Sequence, residues 1–265
     1  MPRVSSPQNP RFREAARLVE SSRERRKSGR CVLEGEHLVA VYCDRIGAPE
    51  TLLVVEDALA DPRVATLVQR VPPLDVLVVS RRMFSTIAAL PADIGVLAVA
   101  RTPASTLPKP GRFCLLLEDI QDPGNVGTML RTAAAAGVTQ VLLSKQCAFA
   151  WSPKSLRAGQ GAHFVTTIVE DVDLCAWSAA FRAGGGHVVA LVARDGRNLY
   201  DSDIGWPLAL SVGNEGAGLS DALCAQADIE VTIPMPGGME SLNAAAAAAV
   251  ALFECVRRSW ARGSQ

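Results

Sequence analysis

The chain has few groups suited to holding a metal: three histidines in 265 residues, and seven cysteines of which no two lie within five positions of each other. That spacing excludes the usual zinc and thioredoxin-like motifs, and the odd count argues against a disulfide framework. Most of the cysteines sit in apolar stretches such as Phe113-Cys114-Leu115, where a buried thiol behaves as a small hydrophobe. No long apolar run is present either. Ala244 to Phe253, the longest uncharged stretch near the C-terminus, is about half of what a bilayer demands. Met1 to Pro10 is polar and proline-rich, without the positive-then-apolar order of a signal peptide. A cytoplasmic protein is expected, or an organelle protein whose targeting segment has been removed. No Gly-x-Gly-x-x-Gly follows the apolar run at Leu115–Leu117, and no Gly-Lys-Ser/Thr occurs anywhere. Rossmann dehydrogenases, class I methyltransferases and P-loop NTPases are therefore disfavoured.

What is present is an ordinary globular composition, 49% hydrophobic and 20% charged, long enough for two domains. The net charge of zero conceals an asymmetry. Residues 1–30 carry nine Arg/Lys against three acids, a footprint that attracts a phosphate backbone. Within it, Arg23, Arg25, Arg26 and Lys27 form the densest group. A solvated helix face would read the same way.

Periodicity predicts a basic helix over Asn9–Lys27 with an apolar stripe of Phe12, Ala15, Ala16 and Val19. Short strands and helices then alternate. Strands are expected at Cys31–Leu33, Thr51–Val55, Leu74–Val79 and Ile94–Ala100, and helices at Glu36–Arg45, Pro62–Gln69 and from Ser80 through Ala89. This describes a smaller α/β domain over residues 1–105. Arg101–Arg112, with three prolines and no apolar period, is the linker candidate. The second domain, 113–265, opens on Phe113–Leu117, apolar throughout and suited to a strand buried on both faces. Further strands are expected at Val138–Ser144, Phe164–Val169, His187–Ala193, Leu208–Val212 and Ile229–Ile233. Helices are expected at Val126–Ala136, Pro153–Gly159, Leu174–Ala183 and Ser241–Trp260.

Three loops after strands are rich in Gly, Asn and Pro: Glu118–Gly127, Val212–Leu219 and Ile233–Asn243. In an α/β sheet such loops meet helix N-termini and are candidate ligand sites. Each alone is equally an ordinary turn with glycines at positive φ.

Together, in this order and spacing, they resemble the SpoU–TrmH branch of the SPOUT methyltransferases. Asn125-x-Gly127-x-x-x-Arg131-x-Ala133 resembles that family's first motif. Gly213-Asn214-Glu215-Gly216-x-Gly218 resembles the second, and Ile233-Pro234-Met235 with Ser241-Leu242-Asn243 the third. The match runs from about Phe113 to Trp260. The N-terminal domain, with Asn9-Pro10 and Leu33-Glu34-Gly35, is similar in kind to the L30-like RNA-binding domain of many members.

The resemblance implies a deep trefoil knot in a mainly parallel α/β domain, a rare exception to unknotted topology. It also implies a homodimer, an S-adenosyl-L-methionine cofactor and transfer of a methyl group to a ribose 2′-hydroxyl of RNA. No metal is implied. Gly213, Ile233 and Leu242 are expected to contact the cofactor through the main chain, with Asn214 and Met235 beside them. Arg131 matches the catalytic arginine. A guanidinium is effectively always protonated, so its expected part is to stabilise the developing alkoxide and grip a phosphate. Asn125 is expected to cap a helix, orient the site, or both. Glu215 is expected to position Arg131 or the opposing subunit, or only to close a turn. Ser241 and Asn243 are expected beside substrate and cofactor. Lys154 and Arg157, ahead of Gly159-Gln160-Gly161-Ala162, resemble a further element near the RNA face. After Asn243, alanines replace the family's commoner Val and Ser, which bears only on local packing. Two other functions share these features: a base methyltransferase of the same fold, and a non-catalytic RNA-binding ribosome-assembly factor. Ribosomal and transfer RNA are both substrates in the family, and the N-terminal domain points to ribosomal RNA.

Overall fold

The computed structural model describes residues 1–88, 95–104 and 109–263, with side chains as far as residue 260. The chain forms two compact units. Met1–Ala104 and Trp151–Phe164 make the first, Ser105–Ala150 and Val165–Gln265 the second.

The first unit runs β1 (Arg3–Val4), α1 (Pro10–Glu20), α2 (Ser22–Ser28), β2 (Arg30–Glu34), α3 (Glu36–Arg45), β3 (Thr51–Val55), α4 (Pro62–Val68), β4 (Val76–Val79), α5 (Arg81–Phe84) and β5 (Val96–Arg101). Its sheet has the order β1-β4-β3-β5-β2, with β5 antiparallel to both neighbours and the other pairs parallel. The central strands β3 and β4 are buried along their whole length, as a sheet covered on both faces requires. Two expected element ends, Ala89 and Ile94, lie outside the described residues. The polar N-terminus contributes the edge strand β1, which its composition does not signal.

The single basic helix expected over Asn9–Lys27 is two helices. Ser21 is extended, at φ −114° and ψ 111°, so it ends α1; its hydroxyl accepts from Glu24 N at 3.2 Å and starts α2. The buried stripe is Phe12, Ala15 and Leu18. Arg25, expected to meet RNA, is corrected by the structure. It is 5% exposed, and its Nη1 donates to the carbonyls of Leu18 (2.5 Å) and Val19 (2.8 Å). Those are the carbonyls a helix end leaves without partners, so Arg25 closes α1.

The second unit contains β6 (Phe113–Leu117), α6 (Pro123–Ala135), β7 (Gln140–Leu143), then, beyond the first unit's α7 (Pro153–Gly159), β8 (Thr167–Val169), α8 (Leu174–Ala183), β9 (His187–Leu191), β10 (Arg197–Asn198), β11 (Leu208–Val212), α9 (Asp221–Cys224), β12 (Ile229–Thr232) and α10 (Ala244–Gly263). Its seven strands are all parallel in the order β10-β12-β9-β11-β6-β7-β8. Insertion of β11 between β9 and β6 brings the loops after these strands to one edge, where α/β ligand sites form. α10 packs on α6 and β11.

Side-chain caps explain two shifted boundaries. α6 begins at Pro123 because Asp122 Oδ1 accepts from Gly124 N (2.5 Å) and Asn125 N (3.1 Å). Asn125 therefore lies inside the first turn and is not the cap. α10 begins at Ala244, not Ser241, because Asn243 Oδ1 accepts from Ala245 N (2.9 Å) and Ala246 N (3.2 Å). The strand expected from Phe164 starts only at Thr167, since Ala162–Phe164 is a 3₁₀ turn. Phe164 packs edge-on against Tyr42, ring centroids 5.2 Å apart, and α7 packs on β2.

Candidate active site

The loop after β11 is shaped by close approach. A Cβ on Gly213 would fall 2.2 Å from the carbonyl carbon of Gly218 and 2.3 Å from Leu219 N, so only glycine fits. Asn214 holds the loop shut. Its backbone exchanges hydrogen bonds with Gly218 at 3.0 and 2.9 Å, and its Oδ1 accepts from Gly216 N and Ala217 N, both at 2.9 Å.

Beside this loop lies a cavity of about 140 Å³. Gly213, Asn214, Glu215, Ile233, Met235, Ser241 and Leu242 all contribute to its walls, so seven residues singled out in the sequence share one space. The walls also include Leu191, Val192 and Ala193 after β9, and Ala244 and Ala247 on α10, which sequence reasoning missed. The two alanines carried a signal, since residues three apart on a helix face the same way. Nothing local marked Leu191–Ala193, which join the site through the strand order alone. Among the described residues no Lys or Arg lines the cavity. Apolar side chains with backbone amides and carbonyls suit a nucleoside, and the Glu215 carboxylate on the wall is of the sign that favours a sulfonium cation, whereas phosphates would find no cation there. S-adenosylmethionine fits that description.

At the next loop, three polar side chains form a chain of hydrogen bonds. Asn243 Nδ2 donates to Asn125 Oδ1 at 3.2 Å, and Asn125 Nδ2 donates to Glu215 Oε1 at 2.8 Å. Glu215 also accepts from Gln121 N (3.1 Å) and Asp122 N (3.3 Å). Partial burial pushes the Glu215 carboxyl up, but these donors outweigh it, Asn125 foremost, and its pKa lies below the ordinary value. Arg131 does not join the chain. It is exposed on α6 and has no hydrogen-bond or ion-pair partner among the described residues. The expected pairing of Glu215 with Arg131 is thus replaced by a grip on Asn125 and the loop after β6.

The N-terminal cations separate into two groups. Arg3 pairs with Glu56, Arg11 with Asp75, and Arg30 with Glu14 and Glu50. Arg11 also donates to Thr51 Oγ1 and to the Glu50 and Leu74 carbonyls. Arg13, Arg17, Arg23, Arg26 and Lys27 are exposed, as are Lys154 and Arg157 of α7 in the same unit. All seven cysteines are unpaired, and burial pushes the thiols of Cys31 and Cys255 up to about 12. Among the described residues no three His, Cys, Asp or Glu side chains group to hold a metal, and no helix is long and apolar enough to cross a membrane.

A parallel α/β sheet with a mainly apolar cavity and an amide–carboxylate chain at its strand ends defines an α/β domain with a ligand site at the carboxyl ends of its strands. Comparison with known proteins makes it specific. Residues 112–253 match the SpoU rRNA Methylase family, and residues 9–98 match the MRM3-like substrate binding domain. The chain belongs to the SpoU rRNA methylase family. It is 32% identical to the 23S rRNA (guanosine(2553)-2′-O)-methyltransferase RlmP of Bacillus subtilis, over 96% of this chain and 98% of that one. Its fold is similar to the SpoU methyltransferase AviRb of Streptomyces viridochromogenes in complex with AdoMet, with TM-score 0.83, 28% identity, and 95% and 98% of the two chains covered. The AdoMet-bound rRNA methyltransferase of Sinorhizobium meliloti is also similar, with TM-score 0.81, 30% identity, and 97% of each chain covered.

Proposed function

We propose that this protein is an S-adenosylmethionine-dependent methyltransferase that modifies a ribose 2′-hydroxyl of RNA, with ribosomal RNA as substrate. The observation that carries this is the meeting of the three loops: a mainly apolar cavity for the cofactor, without Lys or Arg among the described residues of its walls, with the Asn243–Asn125–Glu215 chain beside it. When bound, the cofactor supplies an electrophilic methyl group on its sulfonium. The protein's part is to bind, orient and exclude water. Main-chain groups at Gly213, Ile233 and Leu242 hold the cofactor, with Asn214, Met235 and Ser241 on the remaining walls. Asn125 and Asn243, each fixed in orientation, hold the ribose, and Glu215 fixes Asn125. Arg131, with no partner to release among the described residues, is available to a phosphate and to the developing alkoxide.

Residues 1–105 serve as the RNA-docking domain, joined through 101–112 to a catalytic domain at 113–265. The exposed Arg23, Arg26 and Lys27, with Lys154 and Arg157, meet phosphates. The catalytic domain works as a homodimer through α10, whose outer face carries Phe253 (48% exposed) and Trp260 (70%); apolar surface of this kind favours a partner. Its C-terminal segment threads the family's trefoil knot. Acting on ribosomal RNA, the enzyme works in the cytoplasm.

The test is methyl transfer from radiolabelled S-adenosylmethionine to ribosomal RNA from a strain lacking the gene. Ribose methylation leaves a nuclease-resistant dinucleotide. A label on a free base would instead make this a base methyltransferase, and no incorporation would make it a binding factor.

A further inference from the structure

We propose that Asp119 is a positioning residue for the cofactor, acting through Asn214 from outside the cavity; this rests on the cavity being the S-adenosylmethionine site. Asp119 is the second residue after β6, and its backbone is left-handed at φ +56°. Aspartate enters that region more readily than most residues, yet it remains a costly conformation held by its surroundings. Ser144, just after β7, does the holding. Its Oγ accepts from Asp119 N at 2.9 Å and donates to Asp119 Oδ1 at 2.5 Å. One hydroxyl thus fixes both the main chain and the side chain of the same residue.

This conformation points the Asp119 carbonyl at two side-chain donors. Asn214 Nδ2 donates to it at 2.8 Å and Gln121 Nε2 at 3.1 Å. The first of these decides which way the Asn214 amide faces. With its nitrogen committed to the Asp119 carbonyl, its oxygen must face the amides of Gly216 and Ala217, and it accepts from both at 2.9 Å. Turned over, the side chain would set its own N–H groups against theirs. Gly213, Asn214 and Gly216 line the cavity, and Asp119 does not. The bend after β6 therefore sets the shape of the cofactor loop after β11, 95 residues away.

Three substitutions separate the parts of this arrangement. Asp119→Asn keeps an oxygen for Ser144 and tolerates positive φ. Asp119→Gly keeps the backbone freedom but loses the oxygen. Asp119→Ala loses both. Titration calorimetry with S-adenosylmethionine on the full-length protein is expected to show Asp119→Asn within about twofold of the wild type. Asp119→Ala is expected to be weaker by about tenfold, the scale of one lost hydrogen bond plus backbone strain. Asp119→Gly should fall between them, and it carries the comparison if Asp119→Ala does not fold. Methylation rates at saturating cofactor should stay within about twofold throughout, because no reacting group is touched. Binding by the alanine and glycine variants equal to wild type overturns the proposal. So does an asparagine variant as weak as alanine, or turnover at saturation falling in step with affinity. A wild-type protein that does not bind S-adenosylmethionine while remaining folded removes the underlying assignment of the cavity, a result distinct from all of these.

Discussion

Asn243 and Asn125, 118 residues apart in sequence, are joined by a hydrogen bond of 3.2 Å from the first's Nδ2 to the second's Oδ1. Since Asn125 spends its nitrogen on Glu215 Oε1, its oxygen must face Asn243, and neither amide can turn over without breaking a bond. The chain of donors runs one way and ends on a carboxylate. It ties the first turn of α6 to the cap of α10 and to the loop after β11.

Asn125→Asp should therefore be severe, because it sets a second carboxylate against Glu215 and removes the donor. Adding Glu215→Gln to the same protein restores a donor on the other side while leaving an acceptor for Asn243. The double variant is expected to recover activity over Asn125→Asp alone, with a coupling of about 1–3 kcal/mol in a double-mutant cycle of kcat/KM. Additive losses would show that the hydrogen bond is incidental.

The depressed pKa of Glu215 gives a pH dependence with a definite sign. A folded-state pKa below the unfolded value adds stability that is present above the ordinary carboxylate range and lost as pH falls through the folded value. The loops after β6 and β11 are expected to loosen in acid, and S-adenosylmethionine affinity to fall with them. Glu215→Gln should flatten that acid limb while lowering affinity near neutrality. An unchanged limb in this variant assigns the titration elsewhere.

Arg131→Ala is expected to lower methyl transfer by about 10²–10³-fold, the usual cost of removing one group that stabilises developing charge. Cofactor affinity should change little, since Arg131 is not among the cavity walls. Near-normal turnover in single-turnover assays would exclude Arg131 from the chemistry.

For RNA docking, the cations now divide. Arg23→Gln with Lys27→Gln should reduce the slope of log affinity against log salt by about one for each phosphate left unneutralised. Arg25→Ala should leave that slope unchanged and lower the melting temperature, because it strips the carbonyls of Leu18 and Val19 of their donor, at about 1–3 kcal/mol. Deleting residues 1–104 is a poor substitute for these variants, since it would expose Trp151 and Phe164, both buried within that unit.

Dimerisation is best probed at Phe253. Ala247 lines the cavity, so a charge there would test the cavity and the proposed interface at once. Phe253→Asp lies on the exposed face of α10. It is expected to give a monomer by analytical ultracentrifugation at low micromolar concentration, where the wild type is expected to sediment as a dimer. A wild-type monomer that methylates RNA would reject the dimer.

The sequence by itself determined most of the secondary structure and the positions of the three loops. Thr51–Val55, Phe113–Leu117, Leu174–Ala183 and Leu208–Val212 lie where periodicity puts them, because burial on one or both faces imposes a pattern readable along the chain. The glycine, asparagine and proline punctuation is equally local, since a cap or a positive φ needs only near neighbours. Even so, Ser21 as a helix break and Asp122 as the cap of α6 are local signals that the periodicity overrode. Tertiary structure alone decided the rest. It brought Leu191–Ala193 and Ala247 to the cavity, and gave Glu215 to Asn125, 90 residues away, instead of to Arg131. These outcomes depend on strand order and on which side chain first meets a partner across the sheet edge, and no periodicity along a single segment carries that information.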